Sequence, residues 1–227
     1  MGKKNVTEIA VFLLAMITLV PTCQSGGHEA LPSSPTKDTA ALIAEIEALY
    51  NNDQAIQRAH QVGESAHTRD SLYAAQDSIF RAHMPILKRI FGEHGFPTYD
   101  LVGADVSEKY WILVQHCDHF PEFQREVLAG MKEAVEAGQA NPKNYAYLID
   151  RVAMNAGEPL VYGTQLQYSS DFWVSPLPTR DSAMLDKRRA AVGLPPIETY
   201  LNEVMEMHFQ MNETVYRERG LDSPNRY

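Results

Sequence analysis

Between Trp111 and Gln124 the chain reads WILVQHCDHFPEFQ, which sets two histidines, an aspartate, a cysteine and two glutamines among apolar and aromatic side chains. Three kinds of chemistry use such residues. His116 is a general base if a carboxylate orients its ring, a role worth about a hundred- to ten-thousandfold in rate. His116 and His119, three apart, can ligate a metal if another helix adds a carboxylate, although the intervening glutamate of the usual zinc-enzyme motif is absent. Cys117 beside a histidine invites a nucleophile. Against that, free cysteines are mostly buried, and consecutive helical residues point about 100° apart. On a regular helix Trp111, Gln115, Asp118 and Glu122 share one side, and Ile112, His116 and His119 another. His116 and Asp118 would then point about 200° apart and could not serve one ligand. The non-chemical alternative is a polar seam between packed helices. This reading assigns no metal and no cofactor.

Three further phrases carry candidates. In YLIDRV, Leu148 and Val152 face a core while Asp150 and Arg151 point about 100° apart, each towards a different element. They are an inter-helix ion pair in one reading. In the other, Arg151 binds an anionic ligand and Asp150 orients His116. In YGTQ, Gly163 allows close backbone approach and Gln165 can both donate and accept, or the phrase is simply a strand entering a hairpin. In DQAIQR, Asp53 and Gln57 are four apart, as are Gln54 and Arg58, and such residues usually form a solvated face.

The elements that must position these residues are mainly helical. A first helix starts near Asp38 or Thr39 and carries Leu42, Ile46, Leu49 and Ile56 at helical spacing. A second starts near Asp70, is expected to kink or restart at Pro85, and stops at Gly95. Ser107 is the expected N-cap of the helix holding Trp111. Pro121 opens a helix that ends at Gly138, and Asn141 and Pro142 open one that ends at Gly157. LVYGTQLQY and DFWVSPL alternate about Ser169 and Ser170, predicting a β-hairpin within residues 161–177. A short helix and a long one from Pro196 follow, the latter with a stripe of Ile197, Leu201, Val204 and Met205. The expected fold class is a mainly α multi-helix bundle with one small hairpin, a single domain over residues 38–220 with a tail at 221–227.

Composition bounds the function. The chain has 227 residues, 44% hydrophobic and 22% charged, an ordinary globular balance. Its net charge of −9 disfavours nucleic acid as a partner. Lys3 and Lys4 precede an apolar run, Ala10 to Val20, that is too short to span a bilayer comfortably and suits a signal peptide. It ends at Cys23, after LVPT, so residues 1–23 resemble a bacterial lipoprotein signal whose cysteine is lipidated. A plain secretory cut near Ser25 or Gly26 is the alternative, and the protein would then be secreted. Residues 24–37, QSGGHEALPSSPTK, form a flexible tether. Cys117 is then the folded domain's only thiol, which excludes an internal disulfide or a multi-cysteine zinc site.

Several phrases in order carry a family resemblance: DQ in the first helix, EHGFPT leading to LVG, VQHCDHFPEFQ, YLIDRV, YGTQ and RRAAVGLPPIETYL. From about Asn51 to Leu201 the chain resembles the bacterial domain of unknown function 6624. The resemblance implies a shared, mostly helical fold and a recurrent polar set, here Asp53, Gln54, Gln115, His116, Asp118, Gln124, Asp150, Arg151, Gly163, Gln165 and Arg189. It carries no established activity. The chain departs from the pattern at Arg58, one residue farther from Gln54, and at Cys117, where a small residue is usual.

Two functions compete. One is a lipid-anchored binding or interaction protein of the cell envelope, its ligand a small polar molecule or an envelope protein held by Asp53, Gln54, Gln115, Asp118, Gln124, Arg151 and Gln165. The other is an envelope hydrolase with His116 as general base, Asp150 or Asp118 as its orienter, and Arg151 and Gln165 as substrate binders. No GxSxG elbow is present, so water would be the attacking group.

Overall fold

The computed structural model describes residues 36–61 and 66–227, without the side chains of residues 60, 61 and 66–69. The expected signal, Cys23 and most of the tether lie outside the described residues. No described helix is long and apolar enough to cross a membrane.

Helix α1 (Lys37–Gln61) and helix α2 (Ala66–His94) pack against each other, and α1 also packs on α4 (Ala104–Gln115), which follows the one-turn α3 (Tyr99–Val102). Pro85 does not restart the helix. The residue is exposed, so water can take the Arg81 carbonyl that the missing N–H leaves free, and α2 runs on unbroken. Gly95, at φ +70°, ends the path of α2 as expected. Ser107 is not a cap. Gly103 begins α4, and Ser107 lies in its first turns, 2% exposed.

Helices α5 (Pro121–Glu136) and α6 (Pro142–Asn155) keep the expected punctuation and pack on each other and on α4. The Asn141 side chain accepts from the Lys143 N–H at 2.9 Å. Gly130 allows α5 to approach α2, because a Cβ there would meet the Phe91 ring at 2.9 Å. The shared core includes Ile46, Leu87, Ile90, Leu113, Val127, Met131 and Leu148.

The hairpin is shorter than its sequence span. Strand β1 (Leu166–Tyr168) pairs antiparallel with β2 (Val174–Pro176), Gln167 opposite Ser175. Helices α7 (Leu185–Ala191), α8 (Ile197–Met211) and α9 (Glu213–Glu218) follow, the long C-terminal helix ending at Met211 before the Asn212 junction. Val174 of β2 packs with Tyr200, Leu201, Val204 and Met205 of α8 in a second core, which supports a hairpin too small to stand alone.

Candidate functional site

The predicted polar residues sort into three groups. Two are hydrogen-bonded networks that hold the fold, and the third is a buried group built on an Asp–His pair.

The first closed network joins the turn after α4 to α6. Arg151 grips Asp118 through both ends of its fork, Nε to Oδ1 at 2.8 Å and Nη2 to Oδ2 at 2.7 Å, and its Nη1 donates to Gln165 Oε1 at 3.2 Å. Asn155 donates to Asp118 Oδ1 and Gln124 Oε1, each at 2.9 Å. The Gln124 amide, 0% exposed, donates to the Val114 carbonyl at 3.1 Å. Gln115, with its amide oxygen turned inward, accepts from Trp111 Nε1 at 3.2 Å. Four of the seven residues expected to hold a ligand, Asp118, Gln124, Arg151 and Gln165, thus hold one another, and Gln115 is engaged by Trp111.

The second closed network is centred on Asp150, which is 0% exposed. Its carboxylate accepts from the N–H groups of Val161 (2.7 Å), Tyr162 (3.0 Å) and Thr164 (2.8 Å), and from Thr164 Oγ1 (2.9 Å). Asp150 therefore does not orient His116; its oxygens are taken by the loop that leads into β1. Gly163, at φ +65°, supplies the turn that aims these amides inward. Arg189, also 0% exposed, closes the loop from the other side by donating to the carbonyls of Tyr162 (2.6 Å) and Pro195 (2.7 Å), with its guanidinium 4.8 Å over the Tyr200 ring.

The third group lies between α1, α2 and the end of α4. Helix α4 stops at Gln115, and His116 begins a turn, so a regular helix does not describe His116, Asp118 and His119. His119 is half exposed, with Nε2 2.7 Å from Asp77 Oδ1. His116 is 7% exposed and turns inward, its Nδ1 2.6 Å from Oδ1 of Asp53, which is 0% exposed. The carboxylate can only accept there, so Nδ1–H donates and Nε2 is left open. Gln54 donates to the other Asp53 oxygen at 2.9 Å, and the Phe80 ring stacks on His116 at 5.0 Å. The partner of His116 is thus the Asp53 carboxylate of the first helix, sixty-three positions away in sequence.

Two further residues complete this group, His83 and the Gln57 of the DQAIQR phrase. His83, 4% exposed, contacts Asn52 through Nε2 at 3.3 Å, and its Nδ1 has no hydrogen-bond partner among the described residues. Gln57, one turn beyond Asp53, is 7% exposed, with its Nε2 equally unpartnered. His83 was legible in principle, because it interrupts the apolar stripe Phe80, Leu87 and Ile90 of α2 at the spacing where a core residue belongs. Arg58 is exposed. Cys117 is no nucleophile: burial pushes its thiol up to about 12, and it points at the Leu113 carbonyl at 3.4 Å. Among the described residues no group of three or more His, Cys, Asp and Glu is arranged to hold a metal ion.

The electrostatics of this group give a pH signature. Burial holds the His83 imidazole below its ordinary value; the Asp53 charge pulls it back up and His116 presses it down. With the folded value depressed, the unfolded state binds more protons as pH falls. The stability tied to neutral His83 is complete above about pH 6.5 and drains away as pH falls through the folded value. His208, also held down by burial, acts in the same window. Melting temperature should therefore drop on acidification from pH 7, with a shallower slope in His83→Gln. Parallel curves for the two proteins would show that His83 contributes nothing there.

The family model described as "Family of unknown function (DUF6624)" matches residues 40–212. No curated protein and no solved structure matches the chain.

Proposed function

The chain belongs to the DUF6624 family, whose function is not known, and from its own geometry we propose that it is a binding protein for a small polar molecule, held at the Asp53–His116 group. One observation carries this reading. Gln57 Nε2 and His83 Nδ1 are buried without partners among the described residues, beside a buried Asp–His pair. Each such group destabilises a fold by about 1–3 kcal/mol, so a protein retains two together where something else uses them. A ligand with both hydrogen-bond donors and acceptors meets an amide N–H, two imidazoles and the stacked Phe80 ring. The lysine-led apolar run ending at Cys23 supports a lipid-anchored site in the cell envelope.

A specific observation favours hydrolysis as a second reading. Asp53 orients His116 through Nδ1, which leaves Nε2 placed to take a proton from water. Arg151 and Gln165 cannot then bind the substrate, because both are engaged with Asp118 or with each other.

The test is thermal unfolding of the full chain against small polar envelope metabolites and divalent metals. A ligand at a hundred times its Kd stabilises by about 2.7 kcal/mol, which is roughly 5–10 °C for a protein of this size. At least one metabolite should give a rise of that order that disappears in Gln57→Met. A panel without effect, or a rise that survives the substitution, would refute binding at this group.

A further inference from the structure

A cavity of about 120 Å³ lies apart from the Asp53–His116 group, at the start of α4 and against α5 and α6. Its polar lining includes Ser107, Glu108 and Asn144 beside Tyr99 and Asn141, and its apolar lining includes Phe96 and Trp111. Ser107 is 2% and Asn144 7% exposed, yet neither side chain has a hydrogen-bond partner among the described residues. Glu108 is half-buried and has no ion-pair partner among them either. The nearest lysine in sequence, Lys109, is committed to Glu47 at 3.0 Å and Asp105 at 2.7 Å.

The chemistry of the lining selects a ligand. An ammonium group has three N–H donors and no acceptor. Glu108, Ser107 and Asn144 offer one carboxylate, one hydroxyl and one amide oxygen to receive them. The Trp111 and Phe96 rings accept the attached hydrocarbon, and an aromatic face also attracts a cation. The starts of α4 and α6 border the cavity, and their dipoles oppose a cation, but a helix end carries only about half a charge against the full charge of Glu108. A cavity of about 150 Å³ holds benzene, so this one suits an occupant of about five or six heavy atoms. We propose that this cavity binds the ammonium end of a small organic amine, with Glu108 as the charge partner. Burial and the neighbouring Asp105 charge both raise the Glu108 carboxyl, and a bound cation would relieve both.

The test uses n-butylammonium, with 1-butanol and butyrate as neutral and anionic counterparts, added to the full chain and followed by nuclear magnetic resonance. The Asn144 side-chain amide and the Trp111 indole N–H should shift saturably with the amine, with a dissociation constant on the order of 1 mM for so small a ligand. Neither counterpart should shift them, and E108Q should weaken amine binding at least about tenfold. The readout at Asn144 in the unmutated protein keeps the test valid even if E108Q folds poorly. Unmoved Asn144 and Trp111 signals at about 10 mM amine, equal binding of 1-butanol, or full affinity in E108Q would each overturn the proposal.

Discussion

Substituting Asp150 by Asn is expected to destabilise the fold by about 4 kcal/mol, within the range for breaking a buried, fully hydrogen-bonded charge. Val161, Tyr162 and Thr164 aim their N–H groups at the two carboxylate oxygens, and Thr164 adds its hydroxyl. An asparagine keeps one acceptor oxygen and turns an NH2 towards donors, leaving at least one buried N–H unpaired. For a protein of this length the melting temperature should fall by roughly 10 °C. The damage should also be local. The amides of Val161, Tyr162 and Thr164 should exchange slowly in the unmutated protein and lose that protection in Asp150→Asn before the core helices do. A variant of unchanged stability, with these amides still protected, would mean that the loop does not depend on the carboxylate.

The second large effect belongs to the Asp118–Arg151 clamp. Arg151→Ala strands a carboxylate that keeps only Asn155 and Gln124, and should lose about 2–3 kcal/mol. That is below the full value for a sealed pair, because the Asp118 side chain remains 28% exposed. Burial pushes the Asp118 carboxyl up, but the Arg151 charge and hydrogen bonds, with those of Asn155 and Gln124, hold it below the ordinary carboxylate range. The linked stability is present above about pH 3.9 and is lost as pH falls through the folded value, so Arg151→Ala should flatten the acid limb of the stability curve. Pairing Arg151→Ala with Asp118→Ala should recover much of the single-variant loss, because no charge is then stranded. Simple additivity in a double-mutant cycle would show that the two side chains are independent.

Local grammar carried most of the fold. Pro121 and Gly138, and Asn141, Pro142 and Gly157, mark the helix limits of α5 and α6 because backbone chemistry at each point allows little else. Where water or tertiary partners decide, the sequence was silent. Pro85 stays inside α2 because it faces solvent, and Ser107 is drawn into α4 because Gly103 takes the helix start. The hairpin shrinks because Asp150 captures residues 161–164, which alternate like a strand but have their N–H groups bound elsewhere.

The site was half legible. Asp53, Gln54 and His116 stood out as polar residues near apolar stripes, but their meeting depends on how α1 docks against the end of α4, which no local pattern encodes. Asp150 and Asp118 are the carboxylates the recurring phrases offer as orienters of His116, and Asp53 is the one in contact. Arg151 and Asp118 had the chemistry of ligand binders, and that same chemistry lets them satisfy each other. His83 interrupts the apolar stripe of α2, but that it and Gln57 lack partners among the described residues is visible only once burial is known.

The central claim is that Gln57 and His83 serve a ligand rather than the fold. It is tested most directly by denaturant unfolding of Gln57→Met beside the unmutated protein, each with and without the metabolite panel. Methionine fills a similar volume without a buried donor, so the variant should be more stable by about 1 kcal/mol while failing to respond to any compound that stabilises the original. A variant that is less stable by a similar margin, or that responds to the same compounds undiminished, would contradict the account and make Gln57 a structural residue.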